Sequence, residues 1–181
     1  MTLDRRTFLQ TTAAASAAWW VAPRDTWAAS RSANEKLNVA VIGAGGRGGA
    51  NLAAVSGENV VAICDVDLDR AADGIKKHPQ AKIYRDFRKL IDEEHAGLDA
   101  VTVSTPDHCH APASVAAMRA GLHVYCEKPL THSVHEARVV RQVAEEQGVI
   151  TQMGTQGHSL DGARQSVEML QAGAIGDVTE V

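Results

Sequence analysis

Six residues constrain this chain more than any others: Gly43-Ala44-Gly45-Gly46-Arg47-Gly48, spaced G-x-G-x-x-G. They stand directly behind the apolar run Asn38-Val39-Ala40-Val41-Ile42 and ahead of an Ala-rich segment of helical composition. The pattern is short, but between a strand and a helix each glycine has its own task. Gly43 permits a tight turn, Gly45 lets the backbone approach a pyrophosphate, and Gly48 lets the helix pack close to the strand. Gly46 and Arg47 complete the loop. The helix start would offer unpaired N–H groups and the positive end of its dipole to an anion. Asp65 follows Gly43 by 22 residues, at the end of the next β-branched run, and is placed to accept hydrogen bonds from the ribose hydroxyls of an adenosine. The same carboxylate would repel a 2′-phosphate, so NAD is expected over NADP, with Arg47 and Arg70 as cations that moderate the preference. The plainer alternative is a Gly-rich turn without nucleotide, in which Asp65 only caps a helix.

From Leu37 onward, short β-branched runs alternate with helical patterns, the signature of a parallel sheet covered by helices. Six strands are expected, at residues 38–42, 60–64, 82–84, 99–104, 122–126 and 149–152. The spacing predicts one helix capped by Asp67, with Leu68, Ala71, Ala72 and Ile75 on its apolar face and His78-Pro79 ending it. Ser133 and Glu136 form a Ser-x-x-Glu capping box ahead of Ala137, Val140 and Ala144, and Gly148 is a stop signal. A further helix is expected over 159–172, closed by Gly173. The fold class is thus α/β, a doubly wound parallel sheet of Rossmann type.

Ser104-Thr105-Pro106-Asp107-His108-Cys109-His110 follows the fourth strand, and Glu127-Lys128-Pro129 ends the fifth. Both lie at the carboxyl ends of strands, where open α/β sheets bind ligands, and both should border one crevice. The G-x-G-x-x-G loop, this Thr-Pro-Asp-His-x-His segment, the stretch Gly121-Leu122-His123-Val124-Tyr125-Cys126-Glu127-Lys128-Pro129 and the later Gly154-Thr155-Gln156 together resemble the Gfo/Idh/MocA family of glucose-fructose oxidoreductase and inositol dehydrogenase. The resemblance covers about residues 37 to 181.

The resemblance implies an NAD-dependent oxidoreductase acting on a sugar, cyclitol or related polyol. Gly43, Gly45 and Gly48 would hold the pyrophosphate and Asp65 the adenosine ribose. Thr105, Pro106, His108 and His110 would line the cofactor cleft, Glu127 would lie near the nicotinamide ribose, and Gln156 would touch the nicotinamide side. Lys128 would be the catalytic group, pointing toward the reacting hydroxyl. Oxidising a secondary alcohol moves a hydride to the cofactor and releases the hydroxyl proton, so a proton-transferring group beside that oxygen lowers the barrier. A free lysine, with a pKa near ~10.4, is a poor base at neutral pH and needs burial or a partner. In the family the partners, commonly an Asp and a His, come from a second domain. The bland alternatives are a surface lysine in a turn fixed by Pro129, and a helix or turn cap at Glu127.

The resemblance divides the chain into an NAD-binding domain over 34–157 and, over 158–181, the truncated beginning of an α+β substrate and oligomerisation domain. Residues 177–181 would be the first strand of that domain's sheet. A chain of this extent is expected to bind NAD without turning over substrate, and homo-oligomers are expected of the full-length protein. Two other readings stay open: an NAD-dependent glycoside hydrolase of the same superfamily, and a non-catalytic nucleotide-binding module.

Residues 1–33 differ from the rest. Arg5 and Arg6 precede Phe8-Leu9, and a mildly apolar Ala-rich run continues through Trp19, Trp20 and Val21, resembling a twin-arginine export signal and implying a periplasmic protein. Thr and Ser interrupt the run and Pro23-Arg24 closes it, short of the ~20 apolar residues that span a bilayer. Ala28, Ala29 and Ser30 supply small residues for cleavage, and an amphipathic N-terminal helix is the alternative. Beyond residue 33 there are 14 basic and 20 acidic side chains. An acidic body lacks the basic face that phosphate-backbone binding needs, so nucleic acid is not an expected partner.

His108, His110, His132 and His135 invite a zinc reading, against which stands a family precedent without metal; no metal is expected. In the usual strand order Cys64 and Cys126 lie three strands apart, ~14 Å, beyond disulfide reach, whereas a Cys109–Cys126 bond stays open. Free, mostly buried thiols are the default.

Overall fold

The computed structural model describes residues 35–180. The expected export signal lies outside the described residues. All six expected strands form: β1 (Asn38–Ile42), β2 (Asn59–Cys64), β3 (Lys82–Tyr84), β4 (Ala100–Val103), β5 (His123–Glu127) and β6 (Thr151–Gly154). They make one parallel sheet in the order β3-β2-β1-β4-β5-β6. The last strand sits two residues later than expected. Val149 and Ile150 lead into it, and the Ile150 carbonyl already accepts from the Val124 amide.

Helices cover both faces: α1 (Arg47–Ala54), α2 (Ala72–Lys77), α3 (Phe87–Glu94), α4 (His110–Arg119) and α5 (Val134–Gln147). Because a strand turns successive side chains to opposite faces, Ala40 and Ile42 enter one core and Val41 the other. The larger core joins Ala62, Val101, Val103 and Cys126 of the sheet to Leu90, Met118 and Val143 of α3, α4 and α5. The smaller one joins Val41 and Ile63 to Leu52 of α1 and Ala71 before α2. Burial on both faces is why the central strands are continuous apolar runs without polar alternation.

Ser133 and Glu136 form the expected capping box at α5, and Gly148 ends that helix in the left-handed region at φ +63°. Asp67 differs from expectation. Its carboxylate accepts from the amides of Asp69 and Arg70, so it caps a separate turn, and α2 begins only at Ala72. After β6, a short 3-10 turn (Gln156–Ser159) leads into α6 (Asp161–Gln171), which starts two residues later than expected and buries none of its residues.

The strand expected at 177–181 is not formed over its described residues, 177–180. They have no neighbouring strand to pair with, and an isolated strand leaves its backbone groups to water. The three cysteines are free, so the Cys109–Cys126 bond does not form, and the Cys126 thiol instead lies 3.9 Å from the Leu130 carbonyl oxygen. Among the described residues, no helix is long and apolar enough to cross a membrane.

Candidate functional site

β1 and β4 are neighbours, while the chain continues from them to opposite sides of the sheet, so a crevice opens between their carboxyl ends. Within it lie two adjoining hollows, which share Arg47, Ser104 and Thr105.

The larger hollow, about 540 Å³, is bordered by the glycine loop on one side and by Thr105, Pro106 and His108 on the other. Gly43 has φ +84°, and a Cβ there would stand 2.7 Å from the Ser104 carbonyl. A Cβ on Gly48 would fall on the carbonyl oxygen of Gly43, so only glycine lets α1 start this close to β1. Gly45 does something the sequence did not suggest: its missing side chain makes room for Arg70, whose Cβ would lie 3.0 Å from a Cβ at Gly45. Gly46, at φ +53°, is the N-cap of α1.

Asp65 sits at the end of β2 as expected, with a further role. One carboxylate oxygen accepts from the amides of Ala44 (2.8 Å) and Gly45 (3.0 Å), and the other from the amide of Asp67 (3.0 Å). The carboxylate therefore shapes the loop, and Ala44 and Gly45 are not free to hold phosphate. The amides without a partner among the described residues are instead those of Gly46, the N-cap of α1, and Arg47, its first residue.

The smaller hollow, about 380 Å³, is bordered by Arg47, Asp107, His110, Glu127, Lys128 and Gln156. Its centre is Glu127, only 4% exposed. A single carboxylate oxygen accepts from Arg47 Nε (3.1 Å), Asn51 Nδ2 (2.9 Å) and Gln156 Nε2 (2.6 Å). Burial pushes the Glu127 carboxyl up, but the bonds from Asn51, Arg47 and Gln156 together with the Arg47 charge outweigh it, and the net displacement is below the ordinary value of 4.5. Glu127 thus stays ionised, tying α1 to the ends of β5 and β6. The carboxylate braces the site, which is not the helix or turn cap of the bland alternative.

Lys128 is exposed at the rim, followed by a cis peptide bond to Pro129. Gln156 also donates to the Tyr125 hydroxyl (2.7 Å), so it supports the hollow from behind. His110 is only 1% exposed, and its ring nitrogens lie 2.6 Å from the Pro129 carbonyl oxygen and 2.7 Å from that of Thr105. It does not line the larger cleft, and neither nitrogen is free to bind a metal. Among the described residues no group of three or more His, Cys, Asp or Glu side chains gathers as ligands.

Sequence reasoning missed Asn51 and gave Ser104, Tyr125 and Gly154, which stand within its motifs, no role of their own. Asn51 donates to Ser104 Oγ (2.8 Å) as well as to Glu127. A signal existed: asparagine is a poor residue for a helix interior, and Gly48, Asn51 and Leu52 share one face at helical spacing. Gly154 leaves room for the network, since a Cβ there would stand 2.7 Å from the Tyr125 hydroxyl and 3.0 Å from Gln156 Nε2.

A nucleoside diphosphate fits this edge. The free amides of Gly46 and Arg47 belong to the wall of the larger hollow, and the Thr105 hydroxyl, at the junction of the two hollows, is buried without a partner. Strand order, glycine loop and acid at the end of β2 define a dinucleotide-binding domain of Rossmann type.

Residues 37–155 match the oxidoreductase family with an NAD-binding Rossmann fold, Gfo/Idh/MocA, and the chain belongs to that family. It is 34% identical over 122 residues to an inositol 2-dehydrogenase of Rubrobacter xylanophilus, covering 65% of this chain and 34% of that one. It is 35% identical over 139 residues to a glycosyl hydrolase family 109 protein of Stenotrophomonas maltophilia, covering 69% and 29%. Among solved structures, a 3-ketoreductase from Actinomadura kijaniata in complex with NADP superposes with a TM-score of 0.70 at 30% identity, over 80% of this chain and 45% of that one. The chain thus spans between 29% and 45% of the length of these relatives.

Proposed function

We propose that the chain binds NAD along the larger cleft and, in a protein of its relatives' length, supplies the cofactor half of an enzyme that moves a hydride between nicotinamide and a hydroxyl-bearing carbon of a sugar, cyclitol or related polyol. The observation that carries this reading is the pair of unpaired amides, Gly46 and Arg47, at the start of α1, beside a carboxylate that ends β2. Oriented N–H groups at a helix start favour a diphosphate. Asp65 keeps lone pairs for the ribose hydroxyls, and its charge disfavours a 2′-phosphate, which supports NAD over NADP. The NADP held by the Actinomadura relative makes this preference a property to be measured.

When bound, the nicotinamide supplies the hydride acceptor or donor. Thr105 offers its unpaired hydroxyl at the junction of the hollows, Glu127 holds Arg47 and Gln156 in place, and Lys128 Nζ takes up or returns the proton of the reacting hydroxyl. The twin arginines near the N-terminus support export of the folded protein to the periplasm, which cell fractionation would test.

Calorimetry on the purified chain tests the cofactor reading. Heat is expected with NAD and weaker binding with NADP. Asp65→Asn should lower NAD affinity about tenfold or more, since hydrogen bonds to a charged group are lost, and should narrow the difference between the two dinucleotides. No heat with either dinucleotide, on a folded sample cleared of carried-over ligand, would overturn it. The hydrolase relative favours a second reading, in which the sugar is oxidised and reduced again during bond cleavage. Release of free sugar without net accumulation of NADH would select it.

A further inference from the structure

The β4–β5 ladder ends at the pair Val103 and Cys126, and beyond it the strands pass into separate loops, one carrying Thr105 and the other Lys128 and Pro129. The His110 ring lies between these loops, with Nε2 at 2.7 Å from the Thr105 carbonyl oxygen and Nδ1 at 2.6 Å from that of Pro129. It is the first residue of α4, fixed from behind by the packing of Ala111, Ala113 and Ala117 in the larger core.

A carbonyl oxygen only accepts hydrogen bonds. An imidazole with hydrogen on one nitrogen makes one of these contacts and turns a lone pair toward the other oxygen, whereas a ring with hydrogen on both donates twice. Both separations fall at or below the short range of charge-assisted bonds. The ionisable side chains that border the smaller hollow together with the ring are Asp107 in the turn before α4, Arg47 from α1, Glu127 at the end of β5 and Lys128 just beyond it. Two carboxylates and two cations thus share the hollow with it.

We propose that His110 is a positioning residue: donating from both ring nitrogens, it ties the Thr105 carbonyl to the Pro129 carbonyl and so sets where Lys128 stands over the smaller hollow. The ring extends the join between β4 and β5 past the last rung of the sheet. The importance of Lys128 rests on the function proposed above; the bridge itself does not.

The test reads the ring directly. In the purified chain, labelled with nitrogen-15, long-range proton–nitrogen correlation at neutral pH is expected to show both ring nitrogens of His110 at protonated shifts, each with a slowly exchanging hydrogen. A bare nitrogen on His110 would overturn the proposal. His110→Phe keeps the ring volume and removes both donors. It is expected to erase those two signals and to displace the Lys128 Cε resonance, while His110→Gln, which keeps a donor, displaces it less. An unmoved Lys128 resonance in a folded His110→Phe chain also overturns it. Should the Phe variant fail to fold, the parent spectrum, assigned through bonds from the backbone, decides by itself. NAD calorimetry on the same samples keeps the two proposals apart: lack of heat sinks the cofactor reading, and a bare ring nitrogen sinks the bridge.

Discussion

The two hollows on the carboxyl edge are built from different material. Around the larger one the shaping atoms are mostly backbone, held by one side chain, Asp65: the amides of residues 44 to 47, the carbonyl of Gly43 under Gly48, and the Ser104 peptide against Gly43. Around the smaller one they are side chains, with Glu127 receiving Arg47 and Asn51 from α1 and Gln156 from the turn after β6. A backbone site tolerates most side-chain changes and almost no change in shape. A side-chain site behaves in the opposite way, since neighbours can turn aside but a lost charge leaves its partners unmatched.

The largest effect is expected from Gly48→Ala. The obstructing atom is a backbone oxygen that cannot rotate away, so the cost should reach or exceed the upper end of the ~1–3 kcal/mol typical of overpacked sites, with loss of NAD binding. Urea unfolding and calorimetry measure the two quantities. Glu127→Gln comes next, at about 2 kcal/mol, because bonds to a buried charge are exchanged for neutral ones; the half-exposed Arg47 makes its own share small. The Glu127 carboxyl is displaced downward on folding, so its contribution is fully present above the ordinary carboxylate value and is lost as pH falls below it. The parent should therefore lose stability in acid more steeply than Glu127→Gln, and parallel acid-unfolding curves would contradict the account.

Gly154→Ala should cost less, about 1 kcal/mol, because its added Cβ meets the ends of side chains rather than backbone. Its mark would be a changed Tyr125 environment in near-ultraviolet spectra, with NAD affinity nearly unaltered. The mildest probe is chemical. Burial pushes the Cys64 thiol up to about 12 and the Cys126 thiol to about 11, helped by Asp65 and Glu127 respectively, so both stay protonated and shielded. Cys109 is half-buried and borders the larger hollow. A thiol-reactive disulfide at mild alkaline pH should therefore modify Cys109 first, and NAD should slow that reaction. Equal rates at all three cysteines would break the comparison.

The same contrast governs what could be read from the chain before folding. Strand runs, the glycine spacing and the capping box at Ser133 are local, and each was legible because its physics acts within a few residues. Asp65 was found by its distance from Gly43, although its grip on the loop amides was not, since a carboxylate's choice between a ribose and a backbone N–H depends on geometry. The Glu127 network joins positions 47, 51, 127 and 156, and no local rule links them. His110 was found as a motif member, but its hold on two backbone carbonyls was not, because nothing in a His-x-His pattern tells which ring turns inward. The 177–181 strand was read from a resemblance, and the described residues offer no further strand for it to join.

The pairing of β1 with β4 joins residues 61 positions apart, and both hollows open beside that seam. During synthesis the first glycine loop would emerge well before its opposite wall, and drawing the two together carries the closure entropy of a long intervening segment. A dinucleotide held across the seam would therefore act as a late clasp on the central strands, resisting their separation more than it hastens their meeting.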